Sequence, residues 1–210
     1  MYLSKLSLDP KNTQVQSELA NRYELHRTLT AQFPEKKRKD IGLLYRIELQ
    51  DQYRFHPITL LIQTQLEPDW NGLYDRGLLI ESSQVKAFTP NFSNSEKFYF
   101  RLLGNPTARR RQLDGSQKRV GLYDRDEQQD WILRKAQYGG FKVLSLQLTD
   151  FGLIESSKKK NNQTFKIKHL AVKYEGLLQI IDPDKFTKTF IKGIGSAKAF
   201  GFGLLSLAKS

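Results

Sequence analysis

Apolar and polar residues alternate from the first residues of the chain. In MYLSKLSL, Leu6 and Leu8 fall on one alternation, which predicts a short strand ended by Asp9-Pro10. The period then changes. Leu25, Leu29 and Phe33 recur every four residues, and Asn21 with Glu24 three residues on forms an N-cap and capping-box pair, so a helix is predicted from Asn21 until Pro34 and the run EKKRKD end it. GLLYRIEL and PITLLIQTQ read as two strands with DQYRFH between them, and LLIESSQVKAF as a third. The first half is thus β-α-β-β with further strand. The second half starts again with KFYFRLL and, after a basic loop, KRVGLY. Asp124 and Glu127 form a second capping-box pair, opening a helix through Trp131, Leu133 and Ala136 that stops at Gly139-Gly140. FKVLSLQL is a strand, FGLIESS and TFKIKHLAVKYEG flank the polar turn KKKNNQ as a hairpin, and LLQII continues the sheet. Asp182 followed by Pro183 starts a helix that ends near Gly193, before a last strand, FGLLSL. β-α-β-β-α-β is the split βαβ unit. Its outline seen twice predicts an α+β chain of two tandem ferredoxin-like domains, residues 1–90 and 97–210, joined at TPNFSNSE.

Composition adds a partner class. With 210 residues, 39% hydrophobic and 27% charged, the chain can bury one large core or two small ones and does not resemble a disordered tail. A formal charge of +12, from 34 Lys plus Arg against 22 Asp plus Glu, favours a polyanionic partner, nucleic acid before anionic membrane. The lack of cysteine removes disulfides, thiolate catalysis and Cys-based zinc sites, and fits a reducing compartment. MYLSKLSLDP is too short and polar for a signal peptide and no apolar run approaches membrane-spanning length, so a cytoplasmic protein without a membrane partner is expected.

The candidate chemistry begins at LANRYELHRTL. Helical spacing puts Tyr23, His26, Arg27 and Thr30 on one face, roughly a hundred degrees from the Leu25/Leu29/Phe33 stripe and free to meet a ligand. If Asn21 is the cap, Tyr23 lies in the first turn, where unpaired N–H groups attract phosphate and Arg22 and Arg27 add fixed positive charge. A histidine there can take or give a proton near neutral pH, and a tyrosine can orient or donate to an oxyanion. The competing reading packs Tyr23 on the sheet and leaves His26 a solvated surface residue. His56 and His169 look structural, and three scattered histidines without cysteine make no transition-metal site. Asp124, Asp126, Glu127 and Asp130 could hold a hard cation, but the acidic first turn of a capped helix accounts for them.

GIGSAKAFGFG is the most specific stretch, with Gly193, Gly195, Gly201 and Gly203 flanking an insert that carries Lys198. A dinucleotide site or P-loop would place such glycines between a strand and a helix, whereas these follow a helix and precede the last strand. They instead let one backbone approach another, with Lys198 in reach of its phosphates, or they serve only the turn. Arg109, Arg110 and Arg111 form one basic run; Lys158, Lys159 and Lys160 at the hairpin tip form another, with Lys166 and Lys168 on one strand alternation. Each run alone would be a solvated loop, but their number and the glycine loop favour RNA phosphates.

LANRYELHRTL, LLGNPTARRRQ and GIGSAKAFGFGLLSLA resemble, in order and spacing along nearly the whole chain, the CasE-type CRISPR-associated endoribonucleases of the type I-E Cascade complex. The two glycine-apolar-glycine triplets five residues apart are similar to the signature of the wider repeat-associated RNA-binding superfamily, which is built from ferredoxin-like domains. The resemblance implies cleavage of the repeat stem-loop of precursor CRISPR RNA without metal or other cofactor, leaving a 5'-hydroxyl and a 2',3'-cyclic phosphate. It also implies retention of the mature guide RNA and partnership with other Cascade subunits. The family's catalytic histidine and tyrosine map onto His26 and Tyr23, and its groove-inserted basic hairpin onto residues 156–166; Arg22 stands where some relatives have proline. On that basis His26 transfers a proton, Tyr23 supplies the second proton or orients, and Arg27 meets the phosphate. The rivals are a non-catalytic RNA-binding scaffold subunit and, weakened by the position of the glycine loop, a phosphate-binding metabolic enzyme.

Overall fold

A computed structural model of the chain describes residues 1–34, 36–48, 56–112, 114–160 and 163–210. Two compact units emerge. The first comprises residues 1–89 with 155–167 and 198–204, the second 90–154 with 168–197 and 205–210.

The first unit runs β1 (Tyr2–Leu8), α1 (Thr13–Ala20), α2 (Arg22–Thr30), α3 (Arg38–Ile41), β2 (Leu44–Ile47), β3 (Ile58–Thr64), α4 (Asn71–Asp75) and β4 (Gln84–Ala87). Its sheet has the order β2-β3-β1-β4, antiparallel throughout, with Leu6 opposite Leu60 and Tyr45 opposite Ile62. That order is the split βαβ arrangement. Leu6, Leu8, Leu60 and Ile62 of the sheet bury against Leu25, Leu29 and Phe33, the predicted helical stripe, and against Trp70, whose indole N–H donates to Ser4 Oγ at 3.0 Å.

Three helices depart from the expectation. α1 precedes the predicted one and is capped by Asn12, whose side chain accepts from the N–H groups of Gln14 and Val15. Its buried residues are Val15 and Glu18, so it shows no apolar stripe to read. α3 forms over the last three residues of EKKRKD and Ile41, where only a helix end was expected, and α4 forms over NGLYD around Leu73 alone. LLIESSQVKAF yields strand only over Gln84–Ala87, with Leu79 making an isolated bridge to Leu8. Leu49 and residues 51–55, within the predicted GLLYRIEL and DQYRFH, lie outside the described residues.

The second unit holds β5 (Lys97–Gly104), β6 (Thr107–Arg111), β7 (Gln117–Gly121), α5 (Arg125–Tyr138), most of β8 (Phe141–Lys160) and β9 (Gln163–Ile180), α6 (Pro183–Lys192) and β10 (Leu205–Lys209). Its main sheet, β10-β5-β9-β8, repeats the split βαβ order. Asp124 caps α5 and Asp182 caps α6 as expected, each accepting backbone N–H groups of the first turn. Phe100, Leu102, Trp131, Tyr174 and Phe186 form the buried centre. The predicted short strands after Gly140 are two continuous ones of 20 and 18 residues. Gly176 lies inside β9 rather than at a strand end, and the position needs glycine because a Cβ there would stand 2.0 Å from the Ser145 carbonyl oxygen. The basic stretch NPTARRRQ is not a loop: β6 and β7 pair as a separate two-stranded ribbon. Among the described residues no helix is long and apolar enough to cross a membrane.

Candidate functional site

The first unit brings together three segments distant in sequence: α2, the far ends of β8 and β9, and the end of the glycine loop at residues 198–204. The start of α2 is fastened to both of the others. Asn21 Nδ2 donates to the Ser157 carbonyl at 3.0 Å and the Ser157 N–H donates back to Asn21 Oδ1 at 3.1 Å, so the side-chain amide pairs with strand β8 as a neighbouring peptide would. The predicted capping role of Asn21 is thereby corrected: its side chain makes no cap bond to α2 because it is engaged by the strand.

Arg22 turns inward. It is 5% exposed, donates to the Phe200 carbonyl at 3.3 Å and holds its guanidinium 5.8 Å from the centre of the Phe202 ring, and burial lowers its pKa from the ordinary arginine value. The hydroxyl of the fully buried Tyr45, from β2, donates toward the carbonyls of Arg22 at 3.0 Å and Ala199 at 3.2 Å. Burial pushes the Tyr45 phenol well above its usual range, so it stays a neutral donor. Arg46 adds a bond to the Leu204 carbonyl at 3.3 Å. The loop is therefore tied to α2 and β2 through its backbone carbonyls.

Gly201 permits this approach. Its φ is +82°, and a Cβ would lie 3.0 Å from the Tyr45 ring and 3.6 Å from Arg22. Gly201→Ala is expected to lower stability by about 1–2 kcal/mol from the left-handed backbone alone, measured as a fall in the denaturant midpoint. Gly193, Gly195 and Gly203 also have positive φ, and in the second unit a Cβ on Gly195 would stand 2.9 Å from Trp131. Lys198 opens the 3-10 turn Lys198–Phe200.

The helix does not present Tyr23, His26 and Arg27 as one open face. His26 is 8% exposed, buried beside Arg22, Leu25 and Leu29, with its imidazole stacked on Tyr45 at 6.4 Å and an interplanar angle of 20°. It occupies the seam between the apolar stripe and the outer face, so the solvated histidine of the competing reading is not what forms. Tyr23 is half-buried, its ring 6.2 Å from that of Phe200 and 5.4 Å beneath the Lys158 ammonium. Arg27 is exposed and ion-paired with Glu24 at 2.7 Å. Thr30 Oγ1 donates to the His26 carbonyl at 2.9 Å, within the helix. Lys166 and Lys168 are exposed along β9; the side chains of Lys159 and Lys160, and the turn residues Asn161 and Asn162, lie outside the described residues.

Other predicted groups are elsewhere. Arg109, Arg110 and Arg111 belong to the second unit, in β6. His56 is exposed just before β3. His169, in the second unit, places Nδ1 3.2 Å from Asn105 Nδ2, which also reaches Ser196 Oγ at 3.3 Å. Asp124 is spent on the α5 cap and Glu127 pairs with Arg110. Sequence reasoning missed Tyr45 and the pairing role of Asn21. Neither carries a local signal, since their partners lie up to 154 residues away.

The arrangement sets an imidazole, a phenol and an ammonium around one helix start. It suits proton transfer at a phosphate. The profile of the CRISPR associated protein family matches residues 1–209. The chain is 34% identical over 219 residues to the CRISPR-associated endoribonuclease Cse3 of Thermus thermophilus, covering 99% of this chain and 100% of that protein. It is similar to the structure of CRISPR endoribonuclease Cse3 bound to 19 nt RNA with a TM-score of 0.85 and 34% identity, covering 99% of this chain and 100% of that one. A chain of a CRISPR RNA-guided surveillance complex in a pre-nicking state is similar at a TM-score of 0.73 and 25% identity, each chain covered in full.

Proposed function

The chain belongs to the CRISPR-associated protein family, and from that premise we propose that it is a metal-independent endoribonuclease that cuts the repeat stem-loop of precursor CRISPR RNA and keeps the guide RNA. The observation that carries this reading is the Tyr23/His26 turn of α2, fastened to the hairpin through Asn21 and to the glycine loop through Arg22, with Lys158 over the Tyr23 ring. RNA brings its own nucleophile, the ribose 2'-OH. Its attack on the adjacent phosphorus needs one group to accept the hydroxyl proton, one to protonate the departing 5'-oxygen, and positive charge for the five-coordinate transition state. His26 and Tyr23 supply the proton transfers; Lys158 and Arg27 supply charge, the latter once released from its exposed and weak pairing with Glu24. Arg22 shapes the site by holding the loop carbonyl.

In this reading residues 1–90 carry the catalytic helix, and residues 97–210 carry the basic hairpin and the glycine-rich loop. The protein works in the cytoplasm with other Cascade subunits, in keeping with its likeness to a surveillance-complex chain. A non-catalytic scaffold is the second reading, favoured by the burial of His26. Purified protein mixed with its genomic repeat RNA separates the two: the nuclease cuts it, and the scaffold binds it intact.

The hairpin tip should hold the stem by its phosphates, because the deep, narrow major groove of A-form RNA hides base edges from side chains. Replacing Lys158, Lys159 and Lys160 with alanine is expected to weaken binding of the stem-loop. The dependence of log affinity on log salt should flatten by up to about 0.7–0.9 for each phosphate no longer held. Unchanged affinity and slope in a salt titration would mean that the RNA is held elsewhere.

A further inference from the structure

The β6–β7 ribbon is inserted between the first strand and first helix of the second split βαβ unit, so the fold itself does not require it. Its register places Arg109 opposite Arg119 and Arg110 opposite Lys118. Like charges directly opposite one another destabilise a strand pair, and a lone two-stranded ribbon is marginal in water. The two faces differ. Ala108 and Val120, both half-buried, share one face with Arg110 and Lys118, and there Arg110 pairs with Glu127 of α5. The other face carries Arg109, Arg111 and Arg119, all exposed, and none of the three has an ion pair among the described residues.

We infer that this three-arginine face is a second RNA-binding site, taking backbone phosphates of the repeat RNA away from the scissile bond. The inference rests on the nuclease reading for the identity of the polyanion. Guanidinium groups match phosphate oxygens in paired, planar hydrogen bonds, and a phosphate chain converts the cross-strand repulsion into attraction. A polyphosphate chain fits better than a protein partner, because its repeating charge of one sign matches like charges set side by side. Arg110 and Lys118, on the face that leans toward α5, contribute less.

The test compares Arg109→Gln/Arg111→Gln/Arg119→Gln with Arg110→Gln, using a repeat stem-loop made uncleavable by a 2'-deoxy scissile nucleotide. Glutamine removes the charge and relieves the like-charge pairing, so the triple variant should melt no lower than the parent protein. Its affinity should fall on the order of tenfold, and its log-log salt slope should be smaller by about 2, as expected when three phosphates are released. Arg110→Gln should change both by much less. A triple variant that keeps the parent affinity and slope, or an Arg110→Gln effect as large as the triple one, would overturn the inference. Parent protein that neither binds nor cuts the repeat RNA would overturn instead the reading on which it rests, and that result is visible before any variant is compared.

Discussion

His26→Ala is expected to slow cleavage of the repeat stem-loop by about 10²–10⁴ at saturating protein while changing RNA affinity little, because proton-transfer groups act mainly in the transition state. The imidazole is mostly covered and stacked on Tyr45, so its direct contribution to ground-state binding is small. Tyr23→Phe, which keeps the ring near Phe200 and Lys158 and removes only the hydroxyl, should cost less. Single-turnover rates together with thermal melting separate impaired chemistry from an impaired fold. Full activity in a folded His26→Ala protein would remove the histidine from the mechanism and favour a role in packing alone.

A 2'-deoxy substitution at the scissile nucleotide should have a still larger effect on the substrate side. It deletes the nucleophile and leaves the phosphate, so cutting should fall to background while binding is retained. Binding should persist because the phosphate contacts proposed for Lys158, Arg27 and the β6–β7 ribbon do not involve that hydroxyl. Cleavage of the deoxy substrate would show that water is the nucleophile.

Much of the second unit is legible in the sequence because its signals are local. Asp124 and the Asp182-Pro183 pair state where α5 and α6 begin, and the structure places the caps there. The first unit hides more. α1 buries only Val15 and Glu18, so the period that reveals α2 is missing from it. Asn21 looks like a capping residue from its neighbours, yet its amide is taken by Ser157, 136 residues on. His26 lies near enough to Leu25 and Leu29 on the helix to be drawn under cover, which spacing measured from Tyr23 does not reveal. Tyr45 reads as one more strand residue in GLLYRIEL, although its hydroxyl joins α2 to the glycine loop. The arginines of β6 read as a loop because a strand made of successive like charges carries no apolar period; only the register shows Arg109 facing Arg119. The chemistry-bearing residues were visible one by one, and the long-range hydrogen bonds that assemble them were not.

If this chain cuts RNA by using the RNA's own hydroxyl, with His26 and Tyr23 moving the protons, neither metal nor water is needed for the first bond to break. The decisive experiment incubates the purified protein with its genomic repeat RNA in EDTA and identifies the new ends. One cut in the repeat at an undiminished rate is expected, leaving a 2',3'-cyclic phosphate on one fragment and a 5'-hydroxyl on the other. RNA bound but left intact, or cut only when Mg²⁺ is restored and bearing a 5'-phosphate, would contradict the mechanism.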